Sequence, residues 1–153
     1  MKLDFRKTVR EVFAVIMRDI SAYGGFPFYG MMIIAFFLLG ELDFTYNLVV
    51  SLIAVTIVVA LVRLSYFKPR PGMERKKYAT LYARIDNSSF PSIHAARAVM
   101  ISMALFSKFN ALLPLLALMT ILVLMTRIYF KRHDTIDLAV GIIIGIALAV
   151  FFF

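Results

Sequence analysis

The stretch LVVSLIAVTIVVALVRL, residues 48–64, contains seventeen residues and one charge, Arg63, next to its end. A helix needs about 18 to 20 apolar residues to span a bilayer core, so this segment with its flanks is long enough. The whole chain is built to the same measure. Its 153 residues are 62% hydrophobic and 17% charged, with a mean hydropathy of +0.88, more than a water-soluble domain of this size needs to fill one core. Further apolar stretches cover 28–39, 98–105, 111–125 and 138–153. Several fall short of a full span, so their helices are expected to continue through polar neighbours such as His94, Arg97 and Asn110. The expected fold is an all-α integral membrane helical bundle of about five transmembrane helices.

Residues 2–22 read differently. Leu3, Phe5, Val9, Val12, Phe13, Ile16 and Ile20 recur at helical spacing, while Arg6, Lys7, Arg10 and Arg18 fall mainly elsewhere. That pattern predicts an N-terminal amphipathic helix lying in the interface. A cleaved signal peptide fits less well, because basic residues continue far into the segment and no small-residue cleavage site follows. Residues 1–153 read as a single domain, with no repeat, low-complexity tract or dividing linker. There is no cysteine, which excludes disulfides and thiolate metal sites.

Five crossings alternate the connections between the two membrane faces. Glu41, Asp43 and Lys108 then share one face, and the remaining sixteen of seventeen Lys and Arg the other. The positive-inside rule makes the basic face cytoplasmic, in a multi-pass protein of the cell membrane. Setting Arg63, Arg70 and Arg127 aside still leaves thirteen against one. The net charge of +8 points to anionic lipid as partner, with no nucleic acid, because the cations flank hydrophobic helices without aromatic interleaving.

Three polar clusters face that compartment: RLSYFKPRPG at 63–72, SSFPSIHAAR at 88–97 and RIYFKRHDTID at 127–137. Pro69 and Pro71 stop the helix before them, and Pro91 is expected in the first turn of the third span. These residue types suit phosphoryl transfer, which needs fixed cations, a nucleophile and a proton donor. Arginine binds phosphate oxygens in pairs through its planar fork. Helix N-termini add backbone N–H groups. His133 and Asp137 are four apart, so the carboxylate can hold one imidazole nitrogen and leave the other free to attack phosphorus.

The clusters resemble the type 2 phosphatidic acid phosphatase superfamily, which includes lipid phosphate phosphatases and soluble vanadium haloperoxidases. Its three-part signature reads here as Arg63, six residues, Arg70-Pro71; then Pro91-Ser92-Ile93-His94; then Thr126-Arg127, five residues, His133, three residues, Asp137. The resemblance implies a metal-independent phosphatase without cofactor. In that mechanism His133 forms a phosphohistidine, Asp137 orients it, and His94 protonates the leaving alkoxide and then activates water. Arg63, Arg70, Arg127 and Ser92 would bind phosphate, with Lys68 and Ile93 as additional site residues. Arg63 stands where the family uses lysine, Thr126 where it uses serine, and Ile93 where it uses a glycine whose bare backbone approaches phosphate closely.

Lys2, Arg6, Lys7, Arg75, Lys76, Lys77 and Arg132 read as snorkelling anchors. Lys68 and Arg84 divide evenly between the two readings, and Arg97 would either support the phosphate site or pair with an acid such as Asp86. Zinc held by His94, His133 and Asp134 or Asp137 is disfavoured by three nearby arginines. Met31, Met32, Met100, Met103, Met119 and Met125 read as lipid-facing or packing residues. Gly141 and Gly145 form a close-packing helix face, within the bundle or as the seam of a homo-oligomer.

The expected substrate is a lipid phosphomonoester or diphosphate, such as a polyprenyl phosphate or diphosphate, phosphatidic acid or a glycerophosphate-headgroup lipid. The alternatives are a non-hydrolytic anionic-lipid or phosphate binding or transport protein, and a lipid phosphotransferase.

Overall fold

The computed structural model describes residues 5–74 and 80–153, and within them all regular structure is helical. Seven α-helices follow in order: α1 Phe5–Ser21, α2 Phe26–Leu38, α3 Leu42–Ser65, α4 Leu81–Asn87, α5 Ile93–Lys108, α6 Leu113–Tyr129 and α7 Thr135–Phe152. Short 3₁₀ turns at Ala22–Gly24 and Asn110–Leu112 precede α2 and α6. Lys2, Arg75, Lys76 and Lys77 lie outside the described residues.

Among the described residues, three helical segments are long and apolar enough to cross a bilayer: Leu42–Ser65, Asn110–Tyr129 and Thr135–Phe152. A fourth candidate is the pair Arg6–Gly24 and Phe26–Leu38, bent by 52° at its break. Length and composition therefore identify three or four spans where the apolar runs suggested five. The difference falls on α2 and α5. With 16 residues, α5 reaches about 24 Å at 1.5 Å per residue, short of a core of about 30 Å. As expected, α5 carries His94 and Arg97 inside it, and Asn110 opens the turn before α6.

The shortness of α5 goes with its position. It packs against α7, α6 and α3, and ten of its residues are buried, among them every residue from Ala95 to Ser102. Close approach to α7 depends on the glycines. A Cβ on Gly141 would stand 2.6 Å from the Ser92 carbonyl oxygen, and one on Gly145 2.5 Å from that of Ala96. The GIIIG face is therefore used inside the bundle, against α5.

Around this pair, Tyr29, Leu48, Val55, Val59, Met100, Ile101 and Val123 form a core. Met31 and Met125 sit on the exposed surface. Buried hydroxyls pair with each other, as backbone and side-chain polar groups must in hydrocarbon. Tyr23 Oη lies 2.7 Å from Ser102 Oγ, which is 2.8 Å from Thr120 Oγ1, and Tyr29 Oη lies 2.9 Å from Ser51 Oγ.

In α1, Val9, Val12, Phe13 and Ile16 are exposed, and the helix rests on α6 through the edge of Phe13 against Tyr129, 5.4 Å between ring centres. The α2–α3 connection and the end of α5 meet in the Lys108–Glu41 ion pair, so these two connections share one end of the bundle, as the alternation required.

Candidate active site at the basic end of the bundle

The basic end is organised by the turn between α6 and α7. After Tyr129 the chain reverses through Lys131, whose φ of 51° is left-handed, and restarts as α7 under a capping box. Asp134 Oδ1 accepts from the Asp137 N–H at 3.0 Å, and Asp137 Oδ2 from the Asp134 N–H at 3.1 Å. This reciprocal cap satisfies two orphan donors of α7 and locks both carboxylates beside His133.

Asp137 was expected to hold the His133 ring. Instead the Nδ1 of His133 lies 2.6 Å from the Ser89 carbonyl oxygen, while Asp137 Oδ2 stands 3.7 Å away, too far for a hydrogen bond. The carboxylate is already committed, to the cap and to Lys68 Nζ at 2.8 Å. Since a carbonyl oxygen only accepts, Nδ1 carries the proton and Nε2 keeps its lone pair. Burial, followed by the charge of Arg127, lowers the His133 pKa to about 3 against the opposing Ser89 bond. The ring is therefore neutral at pH 7.

Lys68 bridges Asp134 and Asp137. Although burial opposes it, hydrogen bonds to these two carboxylates raise the Lys68 pKa, and Lys68 with the Asp137 N–H outweighs burial to lower that of Asp134. The sequence left Lys68 undecided; the structure makes it the counter-ion of the fully buried Asp137.

The second wall is the segment entering α5. Ser89 is tied to the 63–72 cluster, its N–H donating to the Lys68 carbonyl at 2.8 Å and its Oγ to that of Pro69 at 3.2 Å. Ser92 caps α5, accepting from the Ala95 N–H, and its own N–H donates to the Asp137 carbonyl at 3.0 Å. Pro91 thus lies just before the helix, not in its first turn as expected. Ser92 is the capping residue because its hydroxyl can satisfy an orphan donor.

Arg63 is buried and donates from Nε and Nη2 to the Pro91 carbonyl at 3.3 and 2.8 Å, and from Nη1 to that of Ile85 at 3.0 Å. Arg70 Nη2 donates to the Asp86 carbonyl at 2.6 Å, and Arg84 Nη2 to that of Leu64 at 3.0 Å. These arginines hold the α4–α5 connection in place. Among the described residues Arg97 pairs with no acid: its Nη2 donates to Thr56 Oγ1 at 3.0 Å and its guanidinium lies 5.8 Å from the Phe26 ring centre. Ile93 packs its side chain on the hydrophobic core.

A cavity of about 490 Å³ opens where α1, α5 and α6 meet. Of the expected site residues, His94 and Arg127 line it. Arg127 donates from Nη1 to Ser21 Oγ at 2.8 Å, and its Nε is buried without a hydrogen-bond partner. His94 lies within electrostatic reach of Arg127, Arg97 and Arg63. Arg18 and Ser21 of α1 and Arg132 also line the cavity. Sequence reasoning missed them: the first two lie in a segment read as a membrane anchor, and Arg132 was itself read as an anchor. Among the described residues, no group of three or more His, Asp or Glu is placed to hold a metal ion.

A helical bundle with three or four candidate membrane spans and a cavity lined by arginines and a histidine at one end defines the class. The PAP2 superfamily model matches residues 44–153, and the chain belongs to that superfamily. The solved structure of LpxE from Aquifex aeolicus shares the fold at a TM-score of 0.74 and 23% identity, covering 92% of this chain and 84% of that one. No curated protein matches the chain.

Proposed function

We propose that the protein is a multi-pass membrane lipid phosphatase that removes phosphate from a lipid phosphomonoester or diphosphate without a metal ion. Family membership and the fold shared with LpxE support a phosphatase. The observation that carries the mechanism is the His133 Nδ1–Ser89 carbonyl contact at 2.6 Å, which leaves Nε2 unprotonated and oriented. In the first step Nε2 attacks phosphorus and the P–O bond to the lipid breaks, while His94, which takes up a proton as the anionic phosphate binds beside it, passes that proton to the departing alkoxide. In the second, His94 takes a proton from water, whose oxygen attacks the phosphohistidine and releases inorganic phosphate.

Arg127 is the cation best placed for the phosphate, through its buried Nε. Arg63 and Arg70 contribute positive potential while keeping Pro91, Ile85 and Asp86 in place. Ser92 retains its hydroxyl proton for a phosphate oxygen, and the unpaired N–H groups in the first turn of α5 would add to the attraction for an anion. Asp137 positions His133 indirectly, by fixing Lys68 and the α7 cap beside it. In this reading α2 and α5 cross as short helices, giving five crossings, and α1 lies in the interface with the site on the cytoplasmic face.

Phosphate release from a panel of lipid phosphates in detergent, with EDTA present, tests the proposal. Turnover should survive chelation, and His133→Ala should lower it by at least about a thousandfold, since a lost nucleophile leaves only binding and electrostatics. Turnover that chelation abolishes, or that His133→Ala leaves intact, would refute it. Transfer of phosphate to an added alcohol with no release to water would identify a phosphotransferase.

A further inference from the structure

The cavity at the end of α1 is larger and more basic than a single phosphate requires. Its volume of about 490 Å³ falls within the range of about 300 to 1,000 Å³ typical of pockets for whole small ligands. Three arginines line it and no acidic residue does. Arg127 lies beside His94. Arg18 and Arg132 are exposed and reach the cavity from different elements, the last turn of α1 and the α6–α7 turn. Arg132 is close enough to Arg127 for their charges to repel. Like charges gathered around a cavity raise the free energy of the empty site, and an anion between them relieves it.

We infer that Arg18 and Arg132 form a second anion subsite, which binds a second phosphate-type group on the same substrate while Arg127 and His94 hold the scissile one. The inference rests on the phosphatase reading only for the placing of the scissile phosphate. Guanidinium forks suit this task because each binds two oxygens of one group. Ser21 serves the arrangement as a positioning residue: its hydroxyl accepts from Arg127 and ties the end of α1, with Arg18 one turn before it, to the catalytic wall. The substrate class that follows is a lipid whose headgroup carries two phosphate-type anions, adjacent or separated by a short linker.

Binding to non-hydrolysable probes tests this without turnover. An alkyl phosphonate and an alkyl methylenebisphosphonate of equal chain length are titrated calorimetrically into the full chain in neutral detergent micelles. The unsubstituted protein should bind the bisphosphonate at least tenfold more tightly. Arg18→Gln and Arg132→Gln should each reduce that ratio to threefold or less, whereas Arg18→Lys and Arg132→Lys should retain most of it. Equal affinities in the unsubstituted protein, or Gln variants that keep the full ratio, would overturn the inference. Doping the micelles with anionic lipid separates the sources: if that lipid abolishes the ratio, the arginines hold neighbouring headgroups and the inference fails. Failure of the His133→Ala test above would leave this ratio untouched, so the two readings fail separately.

Discussion

His133, the proposed nucleophile, also bears on stability. Its folded pKa of about 3 lies below the ordinary value of about 6.5, so the unfolded chain binds the extra proton first. Stability from this group is complete above pH 6.5 and declines as pH falls toward 3. At about 1.4 kcal/mol per pKa unit, the loss between pH 6.5 and 5 is about 2 kcal/mol. Thermal unfolding in detergent should therefore show acid destabilisation over this window, and His133→Ala should reduce it. Lys68 carries a different burden, because removing it strands the buried Asp137 carboxylate. Lys68→Met should cost about 3 kcal/mol, read as a lower melting temperature at pH 7. The sequence disclosed His133 through its spacing from Arg127 and Asp137. It could not disclose the Ser89 carbonyl, since a backbone acceptor carries no side-chain signature.

At the scale of elements, the α5–α7 contact positions both walls of the site. The glycines of α7 let Ser92 approach closely enough to donate its N–H to the Asp137 carbonyl. A methyl at position 141 would meet backbone, which cannot rotate away. Gly141→Ala should cost about 1 to 3 kcal/mol and lower phosphate release with it. Gly30 of α2 has nothing within 4 Å of an added Cβ, so Gly30→Ala should be neutral or stabilising by up to about 1 kcal/mol. Comparing the two melting temperatures separates packing from helix propensity. The glycine spacing was legible in the sequence as a packing face, but the identity of the partner helix was not. The C-terminal turn of α1 shows the same division: its amphipathic spacing was visible, while the Ser21–Arg127 hydrogen bond depends on a bend near Gly25.

Across the whole molecule, charge separates the two ends. Glu41 and Lys108 pair at one end, and the motif residues gather at the other, joined by α3 over its 24 residues, about 36 Å at 1.5 Å per residue. The absence of native cysteine permits single-cysteine mapping of which end faces the cytoplasm. With an impermeant thiol reagent on intact cells, Leu39→Cys should label and Tyr82→Cys should label only after permeabilisation. The reverse pattern would place the site on the outer face.

The sequence by itself determined that the chain is helical with apolar segments of membrane-spanning character and that it carries the three dispersed motif clusters of its superfamily, because hydropathy and motif spacing are properties of the chain read in order. Tertiary structure alone decided which partners those residues take: Ser89 for His133, Lys68 for Asp137, backbone carbonyls for Arg63, and Ser21 for Arg127. The physical reason is that a hydrogen bond or a counter-ion is selected by distance and geometry after the helices pack, and packing brings together atoms whose separation along the chain is unrelated to their separation in space.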